Sequence, residues 1–425
     1  MSTVKDREDR EYVLTDVLAE GGEGRVMRTD HPRVLVKLRL AGGEERLDEV
    51  VRADLEGLAV IRPAALLAPP AMGYVMHLVQ DAEPLEALMR PGGLAAADTG
   101  EWYAATGGAR RRLRALGGLA SAMAGLHARG LCMADVSPRN VLIPLSAAEQ
   151  PAWLIDLDNL HAPDALKVSK HTLPYVAPEV HRGERPCSMR SDVYCLALLS
   201  LEILTLWFPL FGDEIRAGDP ELEEPALAGH VPWIHDREDP SNAAARAAPA
   251  DEFLGRELEW LARRALEEGR LEPTARPTAA AWAGVLHREA DRSIRCEQSS
   301  CSAWCAGHWR QCMSCGSKLP EPAALLRVVG SDPQWPEQLA VPHGESRLVR
   351  RRFTTGRVGP HDSCPEIEVS SRAGGLRLEQ IGTGEVAYEV QPGGRLLPGV
   401  PLTITPRTES RLLMDGGRVA EVVWR

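Results

Sequence analysis

The chain has 425 residues, a mass of 46.3 kDa and a net charge of −11, from 60 acidic and 49 basic side chains. That length predicts two or three folded domains. The acidic balance argues against nucleic acid as a partner, because attraction to phosphate needs an excess of lysine and arginine. The N-terminus is charged, and the most apolar stretch, residues 193–211, contains Glu202 and Pro209. We therefore expect a cytoplasmic protein that has no signal peptide and does not enter a membrane.

Changes in residue pattern predict four regions in chain order. Residues 10–80 show short apolar strands around one helix at 44–58, and residues 81–291 are largely helical. Cysteines mark residues 292–320, and residues 325–425 return to short strands with Gly and Pro turns. The second region holds predicted helices at residues 110–129, 192–206, 257–268 and 278–289. The predicted fold class is α+β, with a small zinc-binding module and a C-terminal all-β sandwich.

Phosphoryl transfer needs a backbone cradle for phosphate, a cation, oxygen ligands for magnesium and a base beside the acceptor hydroxyl. Gly21 and Gly24 fall in a turn between two predicted strands, which could cradle phosphate or be a plain hairpin turn. Lys37 interrupts an apolar strand, where its charge is costly unless it is used; a lysine on an edge strand is the alternative. Asp135 and Asn140 share a predicted loop, where one can accept a proton and the other can hold a metal.

A further acid, Asp156, ends an apolar strand, and an Ala-Pro-Glu sequence that ends at Glu179 follows it. With the Gly-rich turn, the Val-x-Lys strand and the Asp-x4-Asn loop, these motifs resemble the eukaryotic-type Ser/Thr protein kinases over residues 10–290. The resemblance implies a bilobal kinase fold, with residues 10–80 as the N-lobe and residues 81–291 as the C-lobe. It also implies transfer of the γ-phosphate of ATP to a protein hydroxyl.

The resemblance assigns roles to individual residues. Asp135 would be the catalytic base, and Lys37 would hold the α- and β-phosphates of ATP. Asn140 and Asp156 would bind Mg²⁺. The remaining contacts to ATP would come from Gly21, Gly24, Val26, Met76 and Leu78.

In the same family an acid on the first helix pairs with the strand lysine. Glu49 is the acid that we expect to pair with Lys37. Asp54, which follows the apolar stripe of the predicted helix, and Glu45 are the alternatives.

Three more positions follow from the resemblance. Glu179 and Arg276, which belongs to a late Arg-Pro-Thr sequence, would form a structural ion pair. Asp192 would cap the central buried helix. Thr172 would be the phosphate acceptor within the segment that leads to Ala-Pro-Glu.

Departures from the family pattern leave two alternatives open. Met-Ala replaces the His-Arg before Asp135, and Ser137 replaces a lysine. Asp-Leu-Asp, from Asp156 to Asp158, replaces Asp-Phe-Gly. The chain could then be a pseudokinase scaffold that binds nucleotide or partner proteins without phosphotransfer. A small-molecule phosphotransferase is the other alternative, although in the family the Ala-Pro-Glu segment shapes a peptide platform.

Several features resemble a bacterial kinase subgroup that is associated with tellurite-resistance systems. They are the Asp-x-Asp-Asn sequence, the loop at residues 232–242 and the cysteines directly after the kinase-like region. Kinases of that subgroup operate with a von Willebrand A protein and a metal-dependent phosphatase. The resemblance implies these two proteins as partners, beside the protein substrate.

Five cysteines within residues 296–315 indicate a metal site, because a reducing compartment disfavours disulfides. Zinc takes four soft ligands at tetrahedral corners, and a Cys-x2-Cys knuckle supplies two of them from one turn. The expected zinc ligands are Cys296, Cys301, Cys312 and Cys315. Cys305 and His308 are alternatives for one of these ligands. A site closed by protein ligands is structural.

Residues 325–425 weakly resemble a forkhead-associated β-sandwich, a family that binds phosphothreonine peptides. The resemblance implies Arg357 and Ser371 as contacts to the phosphate. Gly374 stands where the family has a histidine, so a sandwich that does not bind phosphate is the alternative. The basic run at residues 350–352 is interpreted as the solvated start of a strand, and part of a phosphate-attracting face is the alternative.

Overall fold

The computed structural model describes residues 2–22, 24–40, 44–146, 152–162, 171–332, 334, 336–356, 364–372, 375–383, 386–389, 394–406, 410–414 and 417–425. Within these ranges the chain mixes α-helices and β-strands. No helix among them combines the length and the apolar character that crossing a bilayer requires.

An antiparallel sheet forms the N-terminal part. Its strands are β1 Ser2–Lys5, β2 Glu11–Gly21, β3 Gly24–Thr29, β4 Val34–Arg39, β5 Ala65–Leu66 and β6 Gly73–His77. The order across the described sheet is β1-β2-β3-β4-β6-β5. Because β1 pairs with β2, with Lys5 opposite Glu11, the sheet begins before the predicted boundary at residue 10. Alternating apolar residues bury one face in a small core of Tyr12, Leu14, Val36, Leu67 and Val75.

The predicted helix at 44–58 is shorter in the structure, where α1 spans Glu44–Arg52. Leu47 and Val50 of α1 are each 2% exposed and anchor the helix on the core. The helix ends early because the Asp54 carboxylate accepts the backbone N–H of Glu56 at 3.3 Å. Such local hydrogen bonds compete with the helical pattern.

The middle of the chain is helical and holds the largest core. Its helices are α2 Thr99–Ala105, α3 Gly108–Ala128, α4 Pro178–His181, α5 Met189–Thr205, α6 Asp213–Arg216, α7 Pro220–Leu227, α8 Ala250–Phe253, α9 Arg256–Arg263, α10 Gly269–Leu271 and α11 Ala279–Arg292. A small sheet of β7 Ala82–Pro84, β8 Val141–Pro144 and β9 Trp153–Leu154 lies beside them. The helices α3, α5 and α11 supply much of this core.

The cap of α5 differs from the prediction. Ser188, and not Asp192, is the N-cap: its hydroxyl accepts the N–H of Ser191, and the Ser191 hydroxyl accepts the N–H of Ser188. This reciprocal capping box satisfies two donors that the helix itself leaves unpaired. Asp192, one turn into the helix, is therefore free of the capping role and is 1% exposed.

The C-terminal part consists of a cysteine module and a β-sandwich. The module contains the strands β10 Ile294–Arg295 and β11 Trp304–Cys305. The sandwich contains β12 Ala324–Val328, β13 Gln338–Val341, β14 Ser346–Arg350, α12 Arg351–Thr355, β15 Pro365–Arg372, β16 Gly375–Gln380, β17 Ala387–Glu389, β18 Gly394–Arg395, β19 Leu402–Ile404, β20 Arg411–Leu413 and β21 Val419–Trp424. Its described sheets have the orders β13-β12-β21-β20-β17-β18 and β14-β15-β16-β19. Both contribute to one apolar core, as in two packed sheets.

Candidate functional site

Lys37 lies on a central strand, on the same face of the first sheet as Val26 and Tyr74. Val26 of β3 and Tyr74 of β6 are directly opposite Lys37 of β4, and opposed residues share a face. Lys37 is 6% exposed, and its ammonium lies 5.8 Å from the centre of the Tyr74 ring. The alternative of an edge-strand lysine is therefore wrong.

Two carboxylates that follow β9 hold the ammonium of Lys37. Its Nζ contacts Asp156 Oδ1 and lies 2.9 Å from Asp158 Oδ2. Burial by itself lowers the pKa of Lys37, but Asp156 and Asp158 outweigh burial, so the pKa lies above its ordinary value. The side chain is therefore a fixed, buried cation on the central strand β4.

Asp158 is a site residue that the motif comparison missed. Its side chain is 1% exposed, and Oδ2 lies 3.6 Å from Arg39 Nε as well as beside Lys37. A buried carboxylate is costly unless cations compensate it, and here two cations do so. Burial raises the pKa of Tyr74 well above its ordinary value, and Asp158 and Asp156 raise it further. The signal in the sequence was a second acid two residues after Asp156.

The expected pairing of Glu49 with Lys37 is wrong in this structure. Glu49 is exposed on α1, because it lies about 160° around the helix from the buried Leu47. The alternative Asp54 is also exposed and lies 3.9 Å from Arg129 Nε. The side chain of Glu45, the remaining alternative, is outside the described residues.

Gly21 and Gly24 are opposite each other where β2 ends and β3 begins. A Cβ atom on Gly24 would lie 2.0 Å from the carbonyl oxygen of Leu38, so only glycine lets β3 approach β4 this closely. No described atom lies within 4 Å of a Cβ placed on Gly21. Packing thus accounts for Gly24, and the space at Gly21 leaves room for a ligand.

The two residues expected near adenine lie at the end of β6. Met76 is half-buried and shares the face of Tyr74 because it is two residues further along the strand. Leu78 follows the strand, and its backbone N–H donates to the carbonyl oxygen of Arg33 at 2.9 Å. Met76 therefore lies on the same face of the sheet as Lys37.

The loop after α3 holds Asp135 and Asn140 together. Asn140 Nδ2 donates to the Asp135 carboxylate at 3.0 Å and to the Asp135 carbonyl at 3.1 Å. Asp192 fixes the start of the loop, since it accepts the N–H of Met133 at 2.8 Å and that of Ala134 at 2.9 Å. Ala134 has a φ of 67°, a left-handed conformation that a non-glycine residue adopts at an energetic cost. A strained residue held from α5 therefore positions Asp135.

The hydroxyl group of Thr172 is hydrogen-bonded to the carboxylate of Asp135. Thr172 donates from Oγ1 to Asp135 Oδ2 at 3.1 Å and from its backbone N–H to Asp135 Oδ1 at 3.0 Å. A general base must lie within hydrogen-bond reach of the hydroxyl that it deprotonates. The geometry at Asp135 meets that requirement for Thr172.

Asn140 and Asp156 fit the preference of Mg²⁺ for hard oxygen ligands. Asn140 uses its amide nitrogen on Asp135, which leaves the amide oxygen as the potential ligand. The Asp156 side chain is 31% exposed, and this residue has a left-handed φ of 58°. Ile155, just before it, donates its N–H to the Asn140 carbonyl at 3.0 Å. The two potential ligands therefore belong to hydrogen-bonded neighbouring segments.

Glu179 and Arg276 form the predicted ion pair. Two parallel hydrogen bonds of 2.7 Å join the Arg276 guanidinium to the Glu179 carboxylate. The Arg276 side chain is fully buried, and that of Glu179 is 6% exposed. This bidentate pair ties α4 to the segment before α11, which lies 97 residues further along the chain.

Four cysteines are placed to bind a metal ion. The sulfur atoms of Cys296, Cys301, Cys312 and Cys315 all lie within 4.8 Å of one another, and two of the separations are 3.6 and 3.7 Å. Tetrahedral bonds of about 2.3 Å to an ion separate sulfur atoms by about 3.8 Å. Hydrogen bonds from Ser317 lower the pKa of Cys315 to about 6, whereas burial raises the pKa of Cys296 and that of Cys312. A bound metal would offset this rise, because it stabilises thiolates.

The alternative ligands lie outside this group. Cys305 is 1% exposed in an apolar cluster, and burial raises the pKa of its thiol. His308 turns to Glu289, with Nδ1 3.7 Å from a carboxylate oxygen. The expected four-cysteine set is therefore the one that the structure brings together.

The phosphate contacts expected in the sandwich are only partly described. Arg357 and Gly374 lie outside the described residues. Ser371 is half-buried at the end of β15, opposite Leu376 of β16. The structure thus places Ser371 within a strand and not in a loop.

The basic run at residues 350–352 is not a solvated strand start. Arg350 and Arg352 are 8% and 5% exposed, and Arg352 pairs with Asp291 of α11. The sandwich packs against the helical part at this point, which the sequence pattern of the strand does not reveal. Arg351 between them is exposed.

Comparison with protein-family models and with curated proteins gives no match to this chain. The kinase-like assignment of its residues therefore depends on the motifs and contacts described above. The same holds for the forkhead-associated resemblance.

Proposed function

We propose that this chain is a Ser/Thr protein kinase that transfers the γ-phosphate of ATP to a hydroxyl of a protein. The observation that carries the proposal is the hydrogen bond of 3.1 Å between the hydroxyl of Thr172 and the carboxylate of Asp135. In such a transfer a carboxylate orients the acceptor hydroxyl and accepts its proton. Asn140 supports this carboxylate from the other side.

The remaining residues have complementary roles in the proposal. Lys37 holds the α- and β-phosphates, and Asn140 and Asp156 supply oxygen ligands for Mg²⁺. Bound Mg²⁺ neutralises charge that develops on the transferred phosphoryl group. In this proposal the nucleotide lies in a cleft beside the face of the sheet that carries Lys37. Its phosphates would occupy the open space at Gly21, and Val26, Met76 and Leu78 would contact the rest of it.

We further propose that Asp158 replaces the helix acid of other kinases as the buried partner of Lys37. Its contact of 2.9 Å to Lys37 and the exposure of Glu49 support this substitution. The second acid of the Asp-x-Asp sequence then orients the lysine, while the first, Asp156, binds the metal.

Radiolabelled ATP tests the proposal. Wild-type protein with Mg²⁺ incorporates label into itself or into an added protein, and Asp135→Asn reduces the rate at least a hundredfold. Equal incorporation by both proteins, or no incorporation by either, rejects phosphotransfer from Asp135. An unfolding profile of Asp135→Asn that matches wild type shows that the loss is chemical.

A pseudokinase scaffold is the second candidate. Two carboxylates contact the ammonium of Lys37 and compete with phosphate for it. This competition favours the scaffold. Calorimetry separates the candidates: nucleotide heat without label transfer indicates the scaffold.

We propose zinc as the metal of the four-cysteine group and a structural role for it. Metal analysis of purified protein should give about one equivalent of zinc, and Cys312→Ser should lose it. Cys364→Ser is the matched control, since Cys364 is exposed and stands apart from the group. Less than half an equivalent in wild type contradicts the proposal.

We also propose partner proteins and a peptide ligand for this chain. A von Willebrand A protein and a metal-dependent phosphatase are the proposed companions, and phosphothreonine peptides are the proposed ligands of the sandwich. Ser371, half-buried at the end of β15, is the described residue that would contact the phosphate. Full-length protein that shows no preference for a phosphothreonine peptide over its unphosphorylated form rejects this role of the sandwich.

A further inference from the structure

Five arginines lie close together where α3, α11 and β14 meet. We name them the junction arginines: Arg110, Arg114, Arg347, Arg350 and Arg352. The first two are one turn apart on α3, and the others belong to β14 and the start of α12. All except Arg110 are at most 8% exposed.

A tryptophan of the cysteine module organises two of these cations. The guanidinium carbons of Arg110 and Arg347 lie 4.1 and 4.9 Å from the centre of the Trp304 ring. Both distances are within the range of a cation–π contact. Two positive groups thus share one ring, which disperses their charge but does not neutralise it.

The contacts of Arg352 and Arg347 show how part of this charge is balanced. Asp291 pairs with Arg352, and Glu345 pairs with Arg295 outside the cluster. Arg347 donates to the main-chain carbonyls of Ser293 and Ala340. These oxygens satisfy its hydrogen bonds but carry no full charge.

Arg110 is the junction arginine with an unsatisfied donor. Its Nε is buried and has no hydrogen-bond partner in the described structure, whereas Arg114 and Arg350 have further interactions. Burial, followed by the guanidiniums of Arg347 and Arg114, lowers the pKa of Arg110 to about 7. A guanidinium gives up its proton with great difficulty. A bound anion is therefore a better way than deprotonation to offset the free-energy cost of burying the charge of Arg110.

We propose that the junction arginines bind a small phosphate-type oxyanion, with Arg110 as its main hydrogen-bond donor. The forked donors of a guanidinium match the oxygens of phosphate, and several convergent guanidiniums are a recurring way to hold a dianion. Free phosphate and the phosphate group of a small monoester present the same chemistry. The anion would join the helical part to the sandwich.

This site is separate from the proposed nucleotide cleft. His127 of α3 contacts Asp192, which holds the Asp135 loop. Arg110 is seventeen positions before His127 on the same helix, which corresponds to about 26 Å. The inference therefore does not depend on kinase activity.

Calorimetry and thermal unfolding of the full chain test the inference. Inorganic phosphate and glycerol 2-phosphate are titrated into wild type, Arg110→Gln and Arg246→Gln, against chloride of equal ionic strength. Arg246 is exposed on a loop, so its variant carries the same change of charge away from the cluster. A parallel series in the Lys37→Met background removes phosphate binding in the cleft.

The expected result is saturable heat for wild type and Arg246→Gln, with a rise of a few degrees in the unfolding midpoint at saturation. Arg110→Gln should fold in chloride and bind phosphate at least tenfold more weakly. A stronger response to free phosphate than to the monoester identifies the inorganic ion as the ligand, and the reverse identifies a metabolite. No response in wild type, or equal responses in wild type and Arg110→Gln, overturns the inference.

Discussion

The ammonium of Lys37 lies 2.9 Å from a carboxylate oxygen of Asp158, a nearly inaccessible side chain that is 121 residues further along the chain. Arg39 Nε lies 3.6 Å from the same oxygen. The pair connects the first sheet to the segment that follows β9. It fixes a cation on the face where Val26 and Tyr74 also lie.

Asp158→Asn and Glu49→Gln distinguish the two assignments for the partner of Lys37. We expect Asp158→Asn to lower kcat for phosphotransfer at least tenfold, because it removes one charge-assisted hydrogen bond and leaves Asp156 as the partner of Lys37. Glu49→Gln should keep wild-type kcat, since Glu49 is exposed. Amine-labelling with mass spectrometry gives an independent measurement, in which Lys37 becomes more reactive in Asp158→Asn. A loss of activity in Glu49→Gln and none in Asp158→Asn would indicate that Glu49 is the functional partner of Lys37.

Thr172 should be the site of self-phosphorylation. Its hydroxyl lies on the proposed base, so Thr172→Ala should remove most of the label that the protein transfers to itself, and Thr172→Ser should retain it. Peptide mapping after incubation with ATP measures this directly. Label that stays at wild-type level in Thr172→Ala contradicts the prediction.

Breaking the Glu179–Arg276 pair should destabilise the helical part strongly. Glu179→Gln leaves a buried arginine without its countercharge, which costs about 3–5 kcal/mol of unfolding free energy. Denaturant unfolding followed by tryptophan fluorescence measures the change. Glu224→Gln, at an exposed pair with His181, is the control and should leave the midpoint unchanged. Similar midpoints for both variants would mean that the buried pair contributes little.

Glu202 should make stability depend on pH. Burial raises the pKa of Glu202, and the hydrogen bond that Tyr175 donates at 2.6 Å offsets only part of that rise. The folded state therefore holds this proton more tightly than the unfolded state, so stability falls as pH rises from about 4.5 towards the raised pKa. Glu202→Gln should remove this penalty and gain most in midpoint at neutral pH.

Thermal unfolding at pH 4 and pH 7.5 measures the effect. The difference between Glu202→Gln and wild type should grow with pH, and Glu223→Gln, at an exposed position, should show no such trend. A difference that is constant over this range indicates that Glu202 has its ordinary pKa when folded.

Local patterns predicted the longer helices of the chain. The predicted helix at 278–289 corresponds to α11, whose N-cap is Thr278, and the predicted helix at 110–129 corresponds to α3. The period of 3.6 residues is a property of neighbouring side chains, so it survives without knowledge of the fold. The predicted helix at 44–58 is too long, because the local hydrogen bond at Asp54 ends the helix although the apolar residues continue at helical spacing.

Spacing predicted one contact through the kinase resemblance and one group through the ligand pattern of zinc. The Glu179–Arg276 pair and the four-cysteine group were predicted and are present. The partner of Lys37 was not predicted, because its choice depends on which acid the packing of α1 and β9 brings to the sheet. The helical period places Glu49 on the outer face of α1, away from the buried Leu47.

The sequence by itself determined the longer helices, the presence of a cysteine cluster and the polar residues Lys37, Asp135, Asn140 and Asp156. Only the tertiary structure selected four cysteines over Cys305 and His308. Only the tertiary structure decided that Asp158 meets Lys37, that Asp192 holds the Asp135 loop and that arginines cluster at the junction of α3 with β14. The physical reason is range: periodicity and turns depend on residues a few positions apart. The balance of buried charges depends on side chains that only folding brings within a few ångströms.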